Sequence, residues 1–212
     1  MAATTLRTRK APQVVEGYED CVLDLRVSVS PRYDEGDPAD YFLEYEGNVI
    51  SGPERDETIG TISMYVVDLL AAEADDVDPF DVLDAIESDL AHFCGLLSVR
   101  TGVFRPKVSD VAGIDLGRIL VLNRMEIAQP FRGCGLGLQA IRTACKGVGL
   151  GCDLAALKAF PVQWEGRVDD GPAHFARDRA KLVNYYRRAG FMPFLRDGLM
   201  VAPLPLPGSP AE

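Results

Sequence analysis

The chain has 212 residues, 47% of them hydrophobic and 25% charged. That composition excludes collagen-like, mucin-like and wholly disordered chains, and the length predicts one domain around a single core. The net charge of -10 is unevenly spread: residues 1–55 hold 6 basic and 11 acidic side chains, residues 56–99 hold none and 11, and residues 100–212 hold 16 and 10. The acidic first half argues against nucleic acid as a partner, because such affinity comes largely from cationic contacts to phosphate. The basic second half suits a small polyanion and the acidic stretch a cationic substrate, with a solvated acidic surface as the plain alternative.

No run approaches the roughly 18 consecutive apolar residues of a membrane-spanning helix, and MAATTLRTRK lacks the apolar stretch of a secretory signal. No membrane partner and a cytoplasmic location are therefore expected. Five cysteines, Cys21, Cys94, Cys134, Cys145 and Cys152, include no CxxC pair. They are read as buried reduced thiols rather than a disulfide framework or a zinc site.

In chain order, residues 1–17 mix small, basic and polar types without a period and are expected to form a flexible arm. In 21–30, Val22, Asp24, Arg26 and Ser28 alternate with Leu23, Leu25, Val27 and Val29, the period of a half-buried strand. A loop rich in Asp, Gly and Pro covers 31–40, and 41–50 and 58–69 are two further predicted strands separated by SGPERD. Asp78 followed by Pro79 predicts a helix start. From there Val82, Leu83, Ile86, Leu90, Phe93 and Leu97 form an apolar stripe that predicts one amphipathic helix over 79–97. Then come a strand at 117–127, a helix at 135–149, a strand at 152–160, and an irregular loop at 161–174 with the only tryptophan, Trp164. A helix at 175–189 stops at Gly190, and short strands near 191–195 and 198–202 follow. Pro203, Pro205, Pro207 and Pro210 make 203–212 an extended tail.

Chemistry concentrates in Gln129-Pro130-Phe131-Arg132-Gly133-Cys134-Gly135-Leu136-Gly137, between a strand and a helix. Glycines let backbone amides approach a ligand, and a helix N-terminus offers unpaired N–H groups and the positive end of the macrodipole, so the loop suits a pyrophosphate. Gly135 to Ala140 formally satisfy the GxGxxA form of the dinucleotide fingerprint. That fingerprint expects an acidic residue at the end of the next strand, where Lys158 and Phe160 stand instead; Asp153 lies at its start.

ILVLNRMEIAQPFRGCGLGLQAI resembles the acetyl-CoA-binding motif of the GNAT acetyltransferase superfamily, a strand leading into R-x-x-G-x-G, here Arg132, Gly135 and Gly137. NYYRRAGF is similar to the family's second landmark, Tyr186 ahead of Gly190 and Phe191. The resemblance covers about residues 117–195 and implies an α/β (α+β) fold: a mixed, mostly antiparallel sheet with a β-α-β-α-β C-terminal half. It would form a single domain over 18–202. It also implies acetyl-CoA as co-substrate, lying where the strands at 119–127 and 152–160 splay apart. Backbone groups of Met125, Glu126 and Ile127 would pair with the pantetheine arm, and Arg132, Gly133, Cys134, Gly135, Leu136 and Gly137 would hold the pyrophosphate.

By the same resemblance the acetyl group passes directly to a bound amine, small molecule or peptide. Tyr186 matches the family's general acid, a phenol whose pKa near 10 lies close to that of a thiol. Glu126, on the cofactor strand, is the candidate base, with a salt bridge to Arg124 as its structural alternative. Cys134 sits in the phosphate loop, away from the thioester, and is given no catalytic role. His92 and His174 have no metal-site spacing and read as structural or exposed. Where the family often has an asparagine, this chain has Arg179, a candidate contact for a cofactor phosphate. The family's helical pair after the first strand is not legible, so substrate identity does not carry over. Monomer or homodimer stays open. The alternative function from another class is a catalytically silent acyl-CoA-binding sensor or interaction module.

Overall fold

The computed structural model describes residues 20–28, 36–52, 54, 56–85, 91–161 and 172–207. Among the described residues seven strands form one open sheet: β1 (Val22–Ser28), β2 (Phe42–Ser51), β3 (Glu57–Asp68), β4 (Arg118–Ile127), β5 (Leu154–Lys158), β6 (Met192–Pro193) and β7 (Leu199–Pro203). They lie in the order β1-β2-β3-β4-β5-β7-β6, and only β4 and β5 run parallel. Parallel neighbours need a crossover, and helix α4 (Leu136–Lys146) supplies it. Among the described residues the other helices are α1 (Leu69–Ala74), α2 (Pro79–Ala85), α3 (Pro106–Ala112) and α5 (Pro172–Arg187). The chain is thus a mixed α/β domain with a mostly antiparallel sheet.

Strand parity builds two cores, one on each side of the sheet. Ile62, Met64, Leu120 and Leu122 point to one face and pack with Leu136, Leu138 and Ile141 of α4, while Leu182, Val183, Tyr185 and Tyr186 of α5 pack against them. Tyr65, Val67, Ile119 and Val121 point to the other, packing with Leu83, Phe93, Leu97 and Val108. The Arg142 guanidinium donates to the Arg188 carbonyl at 3.0 Å and ties α4 to the end of α5.

Three expectations need correction. The single helix over 79–97 is α2, which ends its described run at Ala85, and a 3-10 segment Ala91–Leu96. Gly95 contributes, since glycine is about 1 kcal/mol worse than alanine in a helix interior. The tail does not begin at 203, since Pro203 still pairs with Leu154 and Leu206 is buried in the α4-side core. Two short helices were missed. α1 follows β3 without a loop, with Asp68 Oδ1 accepting from the Ala71 amide at 3.0 Å, and α3 runs from Pro106 to a left-handed Gly113. The arm at 1–17 and Trp164 lie outside the described residues.

Candidate active site

β4 and β5 pair over only four positions, Ile119–Leu122 against Leu154–Leu157. β4 runs on to Ile127, whereas β5 ends at Lys158 and the Ala159 amide turns to the Gly198 carbonyl at 2.8 Å. The strands part beyond Leu122, and the β5-side edge of β4 is left open. On its other side β4 carries a bulge: Ser63 faces Arg124 while Met64 faces Leu122, so Asn123 has no β3 residue opposite.

A cavity of about 500 Å³ occupies this parting. Its wall on the α4 side includes Leu122, Met125, Ile141, Leu157 and Tyr186. Burial pushes the Tyr186 phenol up to about 12, with the neighbouring Tyr185 adding to the rise. The hydroxyl stays protonated at neutral pH, but the near balance with a thiol expected from an ordinary phenol does not hold in this structure, where burial makes Tyr186 the weaker acid.

The glycine loop leads from the end of β4 into α4. Arg132 Nε donates to the Ile127 carbonyl at 2.6 Å, which pins the loop to the strand while the residue stays exposed. That bond engages one of the backbone groups proposed for a pantetheine arm. Gly133 and Gly135 have φ of +86° and +89°, a left-handed conformation natural to glycine, and a Cβ on either would meet open space. The Gly135 carbonyl accepts from the Leu138 and Gln139 amides, and the first amides of α4, at Leu136 and Gly137, have no acceptor within the helix. Gly137 is tight for another reason: a Cβ there would lie 2.6 Å from the Tyr185 hydroxyl and 3.3 Å from Met125 Cε. Cys134 is partly exposed between the two left-handed glycines.

Of the residues singled out in the sequence, Met125 and Tyr186 share the cavity wall, and Arg132 to Gly137 form the loop at the start of α4. Glu126 is not on that wall; its carboxylate stands 3.6 Å from Arg124, the salt bridge weighed against a base role. The Arg179 guanidinium lies 5.5 Å from the Phe175 ring centroid, and its side chain packs beside Gly198. His174 is exposed on α5.

Sequence reasoning missed the far wall. Glu44, Glu46, Ser63, Tyr65, His92 and Phe93 line the same cavity. The Tyr65 hydroxyl donates to Glu44 Oε1 at 3.0 Å. Alternation in β2 and β3 signals that Glu44, Glu46, Ser63 and Tyr65 share a face, but their place beside β4 depends on strand order. Among the described residues, no cluster of His, Cys, Asp and Glu suits a metal ion, and no helix is long and apolar enough to cross a membrane. Compared with known proteins, the chain matches no family model, no curated protein and no solved structure.

Proposed function

We propose that this chain is an acetyl-CoA-dependent N-acetyltransferase of the GNAT type, moving an acetyl group directly from the thioester to an amine. The observation that carries the reading is the parting of β4 from β5 with Tyr186 on its wall and a left-handed glycine loop at the start of α4.

The residues present fit such a co-substrate. The open edge of β4 beyond Leu122 offers backbone groups to an amide-bearing arm, with the Ile127 carbonyl already engaged by Arg132. Amides at the start of α4, the Arg132 charge and the space above Gly133 and Gly135 suit a pyrophosphate. The thioester supplies the activated acetyl group.

Tyr186 Oη holds the proton that the departing sulfur takes as the C–S bond breaks and the N–C bond forms, and solvent returns a proton to the phenolate. The amine must arrive neutral and lose one proton. Glu126, off the cavity wall and 3.6 Å from Arg124, is not placed to take that proton directly, and the proton passes to solvent.

The test is to measure acetyl-CoA binding by calorimetry and thiol release with a panel of amines, in the native chain and in Gly135→Asp. A carboxylate and a Cβ at a left-handed position facing the pyrophosphate should abolish binding. A folded Gly135→Asp protein with native affinity removes the loop from the site. Binding with no turnover on any amine leaves the catalytically silent acyl-CoA-binding module as the better account.

A further inference from the structure

The cavity crosses the sheet. Ile62, Leu122, Met125 and Tyr186 belong to the α4-covered face, whereas Glu44, Glu46, Ser63 and Tyr65 lie on the opposite face, and both sets line one continuous space. We infer that the acceptor lies on this second face, and that Glu44 and Glu46 hold a distal cationic group of it, so that the acceptor is a diamine or longer polyamine. The inference rests on the acetyltransferase reading and names the substrate class of that same site.

Register sets the spacing. Glu44 stands opposite Tyr65 and Glu46 opposite Ser63, and Ser63 in turn stands opposite Arg124 on β4. β2 therefore lies two strand spacings, about 10 Å, from the strand that borders the gap. A reacting nitrogen must reach the gap beside Tyr186, so the backbone of β2 is too far for its carboxylates to serve that nitrogen alone. They are placed for another part of the same molecule.

Charge follows the same axis. Arg124 on β4 and Lys158 at the end of β5 border the gap, with Arg124 sharing its charge with Glu126 at 3.6 Å. Cations at that end favour the neutral, nucleophilic form of an amine, and the carboxylates on β2 favour the ammonium form. A diamine entering this gradient is oriented with its charged end on β2 and its reactive end at the gap. Tyr65 fixes one oxygen of Glu44 and leaves lone pairs of the carboxylate for the ligand. Arg26 faces Glu46 from the edge strand β1, and the opening there is lined by Arg26 and Arg124 against Asp24 and Glu46. Glu44, farther along β2 and away from both cations in register, is therefore the stronger anchor, and His92 lies on the same wall of the main cavity. A monoamine brings no second cation to the glutamates, and an amino acid of similar length places its carboxylate against them.

The experiment compares 1,5-diaminopentane, pentylamine and 6-aminohexanoate, by calorimetry on the protein alone and by kcat/KM with acetyl-CoA. The expected result is a preference of at least about 10-fold for the diamine over both others in both assays. In Glu44→Gln/Glu46→Gln that ratio should fall toward one, and in Tyr65→Phe it should fall part of the way. Acetyl-CoA affinity reports whether each variant is folded. Equal or better binding of pentylamine or 6-aminohexanoate overturns the inference, as does a folded double variant that keeps the preference. Should the double variant not fold, the ligand series on the native chain decides alone. Diamine binding without acetyl transfer overturns the enzyme reading and keeps the subsite; transfer to pentylamine and diamine alike keeps the enzyme and removes the subsite.

Discussion

Tyr185 and Tyr186 are adjacent in sequence, their rings meet edge-on at 5.5 Å, and their hydroxyls serve different places. Tyr186 reaches the cavity, whereas the Tyr185 hydroxyl crowds Gly137 at the first turn of α4. Tyr186→Phe keeps the ring and removes the proton, so kcat should fall by roughly 10- to 1000-fold, about 1.4 to 4 kcal/mol, with acetyl-CoA affinity nearly unchanged. Steady-state kinetics paired with calorimetry checks this, and native turnover in the variant would leave Tyr186 a packing residue. Cys134 offers a reporter independent of catalysis. It is partly exposed, between Gly133 and Gly135, while burial raises the Cys21, Cys145 and Cys152 thiols. Cys134 should label readily with a thiol reagent at pH 8, and saturating acetyl-CoA should slow its labelling at least several-fold. Labelling indifferent to acetyl-CoA would place the ligand elsewhere.

At the level of elements, the strands and the two long helices were legible because their periods are unmixed. β4, α4, β5 and α5 each carry one pattern between clear glycine or proline boundaries, and the loop that joins β4 to α4 was readable from its glycines. The region between β3 and β4 was not. Its helices α1 and α3 are six and seven residues long, too short for a full amphipathic pattern. In the 3-10 segment the buried pair is Phe93 and Leu96, three apart, whereas the stripe read from the sequence paired Phe93 with Leu97 at helical spacing. The far wall of the site was illegible for another reason: Glu44 and Tyr65 are 21 positions apart and meet only through the β2–β3 register. The neighbouring β3–β4 register leans on a glycine that admits the adjoining strand. A Cβ on Gly60 would stand 2.1 Å from the Glu126 carbonyl oxygen, in the stretch of β4 beside the open edge. Gly60→Ala should therefore cost about 1 to 3 kcal/mol in urea denaturation by forcing β3 and β4 apart, and unchanged stability would show that the strands shift freely.

At the level of the whole molecule, the charge pattern in the sequence has its carboxylates in a different place from the one expected. Among the described residues of 56–99, none of the acidic side chains lines the cavity; Asp68 pairs with Arg118 at 2.8 Å and Asp75 accepts from the Tyr41 hydroxyl at 2.9 Å. The carboxylates at the cleft come from β2 instead. The thiols carry a second whole-molecule property, the response to alkali. Burial pushes Cys145 up to about 12 and Cys152 up to about 11, from about 9 in the unfolded chain. Because the folded values are the higher ones, the folded chain holds more protons between these limits, and stability must fall as pH rises. The contribution is complete below about pH 8 and is lost progressively through 9 to 12. Urea midpoints measured under reductant should therefore drop from pH 8.5 to 11, and Cys145→Ala, which removes the larger shift, should show a shallower drop from its own starting value. A midpoint that holds level across that range in the native chain, or a slope identical in the variant, would show that these thiols meet water in the folded protein.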